Sequence, residues 1–265
     1  MTHEQFATVP FEGRHVVIEH AWVGTTAPAA PLLVFLHEGL GSLAMWKHFP
    51  QQLCDALGYR GLVYSRPGYG RSTPRGQADR WPVDFMHRQA EQLLPALLDA
   101  LGVQQRYALF GHSDGGSIAL IHAARFPRRV SAAVVLAPHI LVEAFGLASI
   151  RQARQAYLDG DLRERLARYH DDVDSAFHGW NDIWLAPEFE AWDITGLLHD
   201  IGCPLLAMQG EDDPYGTMAQ IDGIAAAVPG TRLLKLAGCG HSPHRDQPEA
   251  VIQATRQFLT SLPPQ

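Results

Sequence analysis

Charged residues and cysteine are both scarce in this sequence. Of its 265 residues, 18% are charged and 46% are hydrophobic, whereas an average globular chain carries ~25% charged residues. This composition excludes a disordered chain, a collagen and a coiled coil, and it supplies enough apolar side chain for a sizeable core. Cys54, Cys203 and Cys239 are too few and too scattered for a disulfide framework or a zinc ribbon. We therefore expect buried thiols in a reducing compartment.

Basic clusters and long apolar runs are also missing. The 21 Lys and Arg residues are outnumbered by 28 Asp and Glu residues, for a net charge of −7. A nucleic-acid or anionic-membrane partner would need the opposite charge balance. No apolar run reaches the roughly 18 residues of a membrane span, and residues 1–10 lack the pattern of a signal peptide. We expect a cytoplasmic protein with neither kind of partner, and the oligomeric state stays open, a homodimer being one alternative.

Strand-like and helix-like segments alternate along the chain. Strands are predicted at 15–23, 31–36, 61–64, 107–110, 130–136, 204–208 and 232–236, and helices at 46–57, 83–101, 116–126, 220–228 and 248–262. Runs such as Pro31 to Leu36 are apolar throughout, which is typical of strands buried on both faces. The order predicts an α/β fold, with a mostly parallel central sheet and helices on both faces.

One segment breaks this alternation. Residues 139–200 contain no convincing strand and are rich in aromatic residues at spacings of three or four, which predicts helices. The chain length suits one large domain carrying an insertion better than two separate domains. We therefore divide the chain into a core, residues 1–138 and 201–265, and a helical insertion at 139–200.

Ser113 lies at the centre of the motif Gly111-His112-Ser113-Asp114-Gly115, between a predicted strand and a predicted helix. A G-x-S-x-G match is weak alone, but in this context the tight turn forces the serine into a strained conformation that flanking glycines relieve. The turn exposes the hydroxyl at a helix N-terminus, where developing negative charge is favoured. A serine hydroxyl needs a base, and the base needs an orienting acid.

Two later strand ends supply candidates in the order Ser, Asp, His. Gln209-Gly210-Glu211-Asp212-Asp213 follows the strand at 204–208, and Gly238-Cys239-Gly240-His241 follows the strand at 232–236. An open parallel sheet collects its active site at such ends. Asp212, and less favourably Glu211, are alternatives to Asp213 as the acid.

On these motifs the chain resembles the α/β-hydrolase superfamily, with an inserted cap. The resemblance covers nearly the whole chain except its first residues and, more loosely, the cap. It includes His37-Glu38-Gly39-Leu40-Gly41, similar to the family's oxyanion loop, and Ser65-Arg66-Pro67-Gly68-Tyr69-Gly70-Arg71-Ser72, similar to its D-x-x-G-x-G-x-S turn. The resemblance implies Ser113 as nucleophile, His241 as base, Asp213 as acid, and the backbone amides of Gly39 and Asp114 as oxyanion donors. It also implies that no cofactor is needed.

Glu38 departs from the family pattern, which usually has glycine at this position. A carboxylate beside an oxyanion hole opposes negative charge unless it is paired or turned away. Arg66 is the expected partner, and a role in substrate contact is as reasonable as a purely structural one. Ser65 likewise stands where the family often has Asp. His244, three residues after His241, does not complete a recognised metal spacing, so we expect no metal site.

Most aromatic residues of the insertion are expected to form its own core. Phe145, Trp180 and Trp184 are the rings predicted to overhang Ser113 and to accept an apolar group. The sequence thus predicts a serine hydrolase acting on a carboxylic ester of a small, largely apolar molecule. A C–C bond (vinylogous diketone) hydrolase, a lactonase, a thioesterase and a non-catalytic small-molecule receptor are the alternatives.

Overall fold

The computed structural model describes residues 4–27, 29–76 and 79–263. Its strands are β1 (Gln5–Phe11), β2 (Arg14–Gly24), β3 (Leu32–Leu36), β4 (Arg60–Tyr64), β5 (Tyr107–His112), β6 (Val130–Leu136), β7 (Leu205–Gly210) and β8 (Arg232–Leu236). Its helices are α1 (Phe49–Leu57), α2 (Phe85–Arg88), α3 (Leu94–Ala100), α4 (Asp114–Arg125), α5 (Ala144–Asp159), α6 (Leu162–Leu166), α7 (Val173–Trp184), α8 (Ala219–Ala227), α9 (Pro243–Asp246) and α10 (Pro248–Thr260).

The strands form one eight-stranded sheet in the order β1-β2-β4-β3-β5-β6-β7-β8. The pairs from β4 to β8 are parallel, whereas β1–β2 and β2–β4 are antiparallel. The predicted α/β class with a mostly parallel sheet is confirmed. The edge strand β1 was not predicted, because only Val9 and Phe11 among its residues are buried and Pro10 weakens the strand pattern.

The side chains of each central strand serve two cores. In β3 all five residues are buried. Leu32, Val34 and Leu36 pack into the larger core, with α3, α4 and α8, whereas Leu33 and Phe35 pack into a second core, with α1 and α10. This division follows from the alternation of side chains along a strand, and it explains why the strand is apolar throughout.

Between β6 and β7 the chain forms α5, α6 and α7 and two short 3₁₀ turns, Pro187–Phe189 and Thr195–Asp200. We call residues 139–200 the cap segment. Its aromatic rings are mostly buried among one another: Phe177 stacks on Tyr157 at 3.6 Å between ring centroids, and Phe189 stacks on Trp192 at 5.5 Å. The cap segment therefore has an apolar core continuous with the larger core of the sheet.

No helix in the described part of the chain is long and apolar enough to cross a membrane.

Candidate active site

Ser113 lies in a sharp turn between β5 and α4. Its backbone has φ 53° and ψ −121°, a conformation that is strained for any residue except glycine. The Ser113 amide donates a hydrogen bond to the carbonyl of Leu136 at 2.9 Å, which holds the turn in place. A Cβ on Gly111 would lie 2.3 Å from the carbonyl oxygen of Gly115, and one on Gly115 would lie 2.1 Å from that of Leu36. The turn therefore requires glycine at both flanking positions.

Ser113, His241 and Asp213 form one continuous hydrogen-bonded chain. The Ser113 Oγ is 2.9 Å from Nε2 of His241, and Nδ1 of His241 is 2.9 Å from both carboxylate oxygens of Asp213. Asp213 follows β7 and His241 follows β8, so neighbouring strand ends present both side chains at the same edge of the sheet. The carboxylate fixes the imidazole with Nε2 directed at the serine hydroxyl.

The Asp213 carboxylate is held in its ionised form. Burial raises its pKa, but the hydrogen bond and charge of His241, together with the amide of Tyr215, bring the pKa below its ordinary value. The Tyr215 amide donates to Oδ1 at 2.8 Å. Asp212 is exposed, and its amide bonds to the carbonyl of Cys239. Asp213 is therefore the carboxylate that contacts His241.

A cavity of about 260 Å³ opens above Ser113. The oxyanion loop, the serine turn, the cap segment and the loops after β7 and β8 all contribute to its wall, which consists of Glu38, Gly39, Leu40, Ser113, Asp114, His139, Ile150, Trp180, Trp184, Tyr215, His241, Ser242, Arg245 and Asp246. The cap segment supplies the rings of Trp180 and Trp184 and the aliphatic side chain of Ile150. The space above the nucleophile therefore has an apolar roof and a polar floor.

The side chain of Asp114 lies beneath this roof. Its Oδ1 accepts a hydrogen bond from the Trp184 indole at 3.2 Å, and its Oδ2 is 4.0 Å from the fully buried guanidinium of Arg66. Burial raises the pKa of Asp114 to about 6, against the opposing effect of the Arg66 charge. Asp114 thus joins the serine turn to the cap segment through its side chain, while its amide lies in the first turn of α4, where amides have no partner within the helix.

The sequence of this chain matches the family model for the alpha/beta hydrolase fold over residues 31–173. The chain belongs to the alpha/beta hydrolase family. A polyketide synthase, ThaQ of Burkholderia thailandensis, is 29% identical over 245 residues, which cover 79% of this chain and 11% of that protein. The chain therefore spans only a small part of that relative's length.

Another relative of this alpha/beta hydrolase matches it along most of both chains. The 2-hydroxy-6-oxo-6-phenylhexa-2,4-dienoate hydrolase of Burkholderia cepacia is 23% identical over 257 residues, covering 86% of this chain and 87% of that protein. Among solved structures, a thermophilic esterase from Thermogutta terrifontis superposes with a TM-score of 0.74 at 21% identity, covering 98% of each chain. The structural likeness confirms the fold.

The structure of this alpha/beta hydrolase brings seven of the predicted site residues to the wall of one cavity: Glu38, Gly39, Ser113, Asp114, Trp180, Trp184 and His241. Asp213 contacts the ring of His241. Phe145 is the exception, and its placement above Ser113 is corrected. Phe145 is 54% exposed and does not line the cavity. It lies near the start of α5, and Ile150, further along the same helix, faces the cavity instead.

The predicted partner of Glu38 is also corrected. Arg66 donates to the backbone carbonyl of Glu38 at 2.8 Å, not to its carboxylate. The carboxylate lies instead 3.4 Å from Nδ1 of His112. His244 is buried and packs its ring against Trp46 and His112, each at 4.8 Å between ring centroids. Among residues 4–27, 29–76 and 79–263, no group of three or more His, Cys, Asp and Glu side chains could hold a metal ion.

The sequence reasoning did not predict His139, Ile150 and Tyr215 as wall residues, nor Leu40, Ser242, Arg245 and Asp246. His139 follows the end of β6 closely and Tyr215 follows Asp213, so their positions after strand ends were usable signals. Ile150 gave no signal, because an apolar residue in a helix is ordinary. Burial lowers the pKa of His139 to about 3, with a further contribution from the charge of His241, so His139 presents a neutral ring beside the base.

Proposed function

We propose that this alpha/beta hydrolase cleaves a carboxylic ester of a small, largely apolar molecule through an acyl-enzyme. The observation that carries the proposal is the unbroken chain from the Ser113 hydroxyl through His241 to Asp213, with 2.9 Å at each contact, at the floor of a cavity. A hydroxyl hydrogen-bonded to an imidazole that is itself oriented by a carboxylate is the arrangement of an activated nucleophile.

In the proposed reaction, the Ser113 oxygen attacks the ester carbonyl carbon while Nε2 of His241 takes the hydroxyl proton. The backbone amides of Gly39 and Asp114 are the proposed donors that stabilise the charge of the tetrahedral oxyanion. Collapse of this intermediate breaks the ester C–O bond, and His241 returns the proton to the departing alcohol. A water molecule, deprotonated by His241, then releases the acid and restores the Ser113 hydroxyl.

The size and lining of the cavity support a small apolar substrate. Its volume of about 260 Å³ is below the usual range of drug-sized sites, and Leu40, Ile150, Trp180 and Trp184 give it apolar surface. Aromatic side chains bury large areas and suit an aliphatic or aromatic acyl or alcohol group.

The charges around the cavity favour an ester over a dienoate. The substrate named for the Burkholderia cepacia relative is a carboxylate anion. Here the wall carries Glu38, Asp114 and Asp246 against Arg245 as its one Lys or Arg, and the buried Arg66 is not part of it. An anionic substrate would face three carboxyl side chains at the wall, with Arg245 as the basic side chain there, which is the argument against the C–C hydrolase alternative.

The test is a hydrolysis screen with p-nitrophenyl esters of graded chain length, thioesters, lactones and a ring-cleavage dienol. We expect the short and medium esters to react fastest. The variants Ser113→Ala and His241→Ala should each lower kcat by orders of magnitude while circular dichroism stays unchanged. Activity of either variant within about tenfold of the parent would contradict the proposal.

A fluorophosphonate probe separates the enzyme from the non-catalytic receptor alternative. An activated Ser113 should be labelled rapidly in the parent and not in Ser113→Ala, whereas an idle serine in a binding protein would leave the parent labelled only slowly. The cytoplasmic location stays a prediction from the sequence, and the oligomeric state stays open.

A further inference from the structure

Glu38 occupies a place in the oxyanion loop that the proposed reaction does not use. It lies between the end of β3 and Gly39, and its side chain is 21% exposed. Its carboxylate folds back over its own loop, because a Cβ on Gly41 would lie 2.5 Å from Oε2 of Glu38. The carboxylate of Glu38 thus occupies the space that a side chain at position 41 would need.

His112 connects this carboxylate to the loop that carries His241. Nε2 of His112 is 2.6 Å from the backbone carbonyl oxygen of His241. A carbonyl only accepts hydrogen bonds, so Nε2 carries a hydrogen and donates it. The other ring nitrogen, Nδ1, then faces Oε2 of Glu38 at 3.4 Å, and this contact is attractive when Nδ1 also carries a proton. His112 is buried.

We propose that Glu38 and His112 are a pair of positioning residues that ties together the three loops of the catalytic site. Glu38 immediately precedes Gly39, His112 immediately precedes Ser113, and the carbonyl that His112 binds belongs to His241 itself. One chain of contacts thus sets the separation of the oxyanion amide, the nucleophile and the base. This inference rests on the proposed function, since it assigns the pair a role in that reaction.

The pairing also answers the electrostatic objection to a carboxylate at this place. An unpaired negative charge beside the oxyanion amides would oppose the charge that develops in the transition state. Nδ1 of His112, 3.4 Å from Oε2 of Glu38, supplies an opposite charge when it is protonated. Burial raises the pKa of Glu38, but the adjacent ring of His112, with smaller effects from His244 and His37, brings the pKa well below its ordinary range. Glu38 is therefore held as an anion.

A double-mutant cycle tests the pair through kcat and KM. The variants are Glu38→Gln, His112→Gln and the two together. Glu211→Gln is the matched control, because Glu211 is an exposed carboxyl residue in the loop after β7. We expect each single change to lower kcat by about 10- to 100-fold, the range seen when catalytic groups are displaced slightly, and KM to change less than about threefold.

The double variant should be no slower than the slower single variant, because both changes break the same chain of contacts. Multiplicative losses in the double variant would overturn the proposal. A rise in KM without a loss in kcat would also overturn it, since Glu38 would then contact substrate directly. If His112→Gln melts below the assay temperature, the kcat and KM of Glu38→Gln, whose side chain is partly exposed, test the proposal on their own.

A readout without substrate separates this inference from the proposed function. The Nδ1 proton of His241, hydrogen-bonded to Asp213, should give a downfield proton NMR signal that reports the position of the imidazole. We expect Glu38→Gln to shift or broaden this signal and Glu211→Gln to leave it unchanged. If the parent shows no Ser113-dependent hydrolysis, the proposed function fails while this signal still decides the coupling. An unchanged signal in Glu38→Gln would overturn the coupling whether or not the enzyme hydrolyses esters.

Discussion

The contact between Gly39 and Trp180 supports a sharp prediction about the oxyanion loop. A Cβ on Gly39 would lie 2.2 Å from Cδ1 and 2.3 Å from Nε1 of the Trp180 indole. The shorter distance is about 1.2 Å less than an ordinary contact of roughly 3.4 Å. Gly39 does not have a positive φ, so alanine meets no backbone strain here. The variant Gly39→Ala therefore tests this one steric contact.

We expect the loop to move. The Trp180 ring is buried, belongs to α7 and packs edge-on against Phe177 at 6.2 Å between ring centroids, so it resists displacement. A shift of about 1 Å in the Gly39 amide should lower kcat by roughly 10²-fold, which is the effect expected for a misplaced catalytic group or a lost oxyanion donor. KM should change much less, because the rest of the cavity wall is unchanged.

The assay is ester hydrolysis by four proteins: the parent, Gly39→Ala, Trp180→Leu and the double variant. Removing the indole leaves room for the new methyl group, so Gly39→Ala should cost much less in the Trp180→Leu background than in the parent. Gly196→Ala is the control, because a Cβ there meets nothing within 4 Å. An equal loss of kcat in both backgrounds would refute the steric reasoning. An unchanged kcat with an altered preference for acyl chain length would show that the ring moved instead.

Three further predictions follow from other contacts. Asp213→Asn should lower kcat severely and Asp212→Asn mildly, because only Asp213 contacts His241; similar kcat values would contradict this assignment. Trp184→Ala should change the ranking of acyl chain lengths and lower stability by about 3–5 kcal/mol. Phe145→Ala should change neither, because Phe145 is exposed. Chain-length profiles and thermal melts of both variants check this. Burial lowers the pKa of His122 to about 4 in the folded protein. The contribution of the neutral ring to the free energy of unfolding is therefore complete above pH ~6.5 and is lost as the pH falls towards 4. Between pH 7 and 4.5 the free energy of unfolding should therefore fall less in His122→Gln than in the parent, by up to roughly 3 kcal/mol. An equal pH dependence of stability in the two proteins would contradict this prediction.

The order of elements was readable because burial on both faces leaves a simple pattern. β3 is apolar throughout since its alternate residues pack into two different cores. The first strand of the sheet was missed for the opposite reason, because an edge strand buries few of its residues. In the cap segment, the spacing of apolar residues predicted helices, but it could not show that Ile150 and not Phe145 faces the cavity. The direction of a helix face depends on what the helix packs against.

The motif and the chain order identified the catalytic candidates, but they did not predict how the side chains are arranged in space. The choice between Asp212 and Asp213 rested on spacing alone, whereas the structure shows one carboxylate buried against His241 and its neighbour exposed. The partner of Glu38 was predicted from the proximity of two strand ends. In the structure Arg66 binds the backbone carbonyl of Glu38, and His112 lies beside the Glu38 carboxylate. The directions of the side chains set this difference.

The individual strands and the strained turn at Ser113 are readable from the sequence, because each depends on residues close together along the chain. Side-chain alternation decides a buried strand, and the glycines at 111 and 115 permit the turn. The roof of the cavity, the pairing of Glu38 with His112 and the contact of Trp180 with Gly39 are visible only in the folded chain. These join residues that are distant in sequence, and their distances are set by how the cap segment packs on the sheet, where a shift of 1 Å separates a hydrogen bond from no contact.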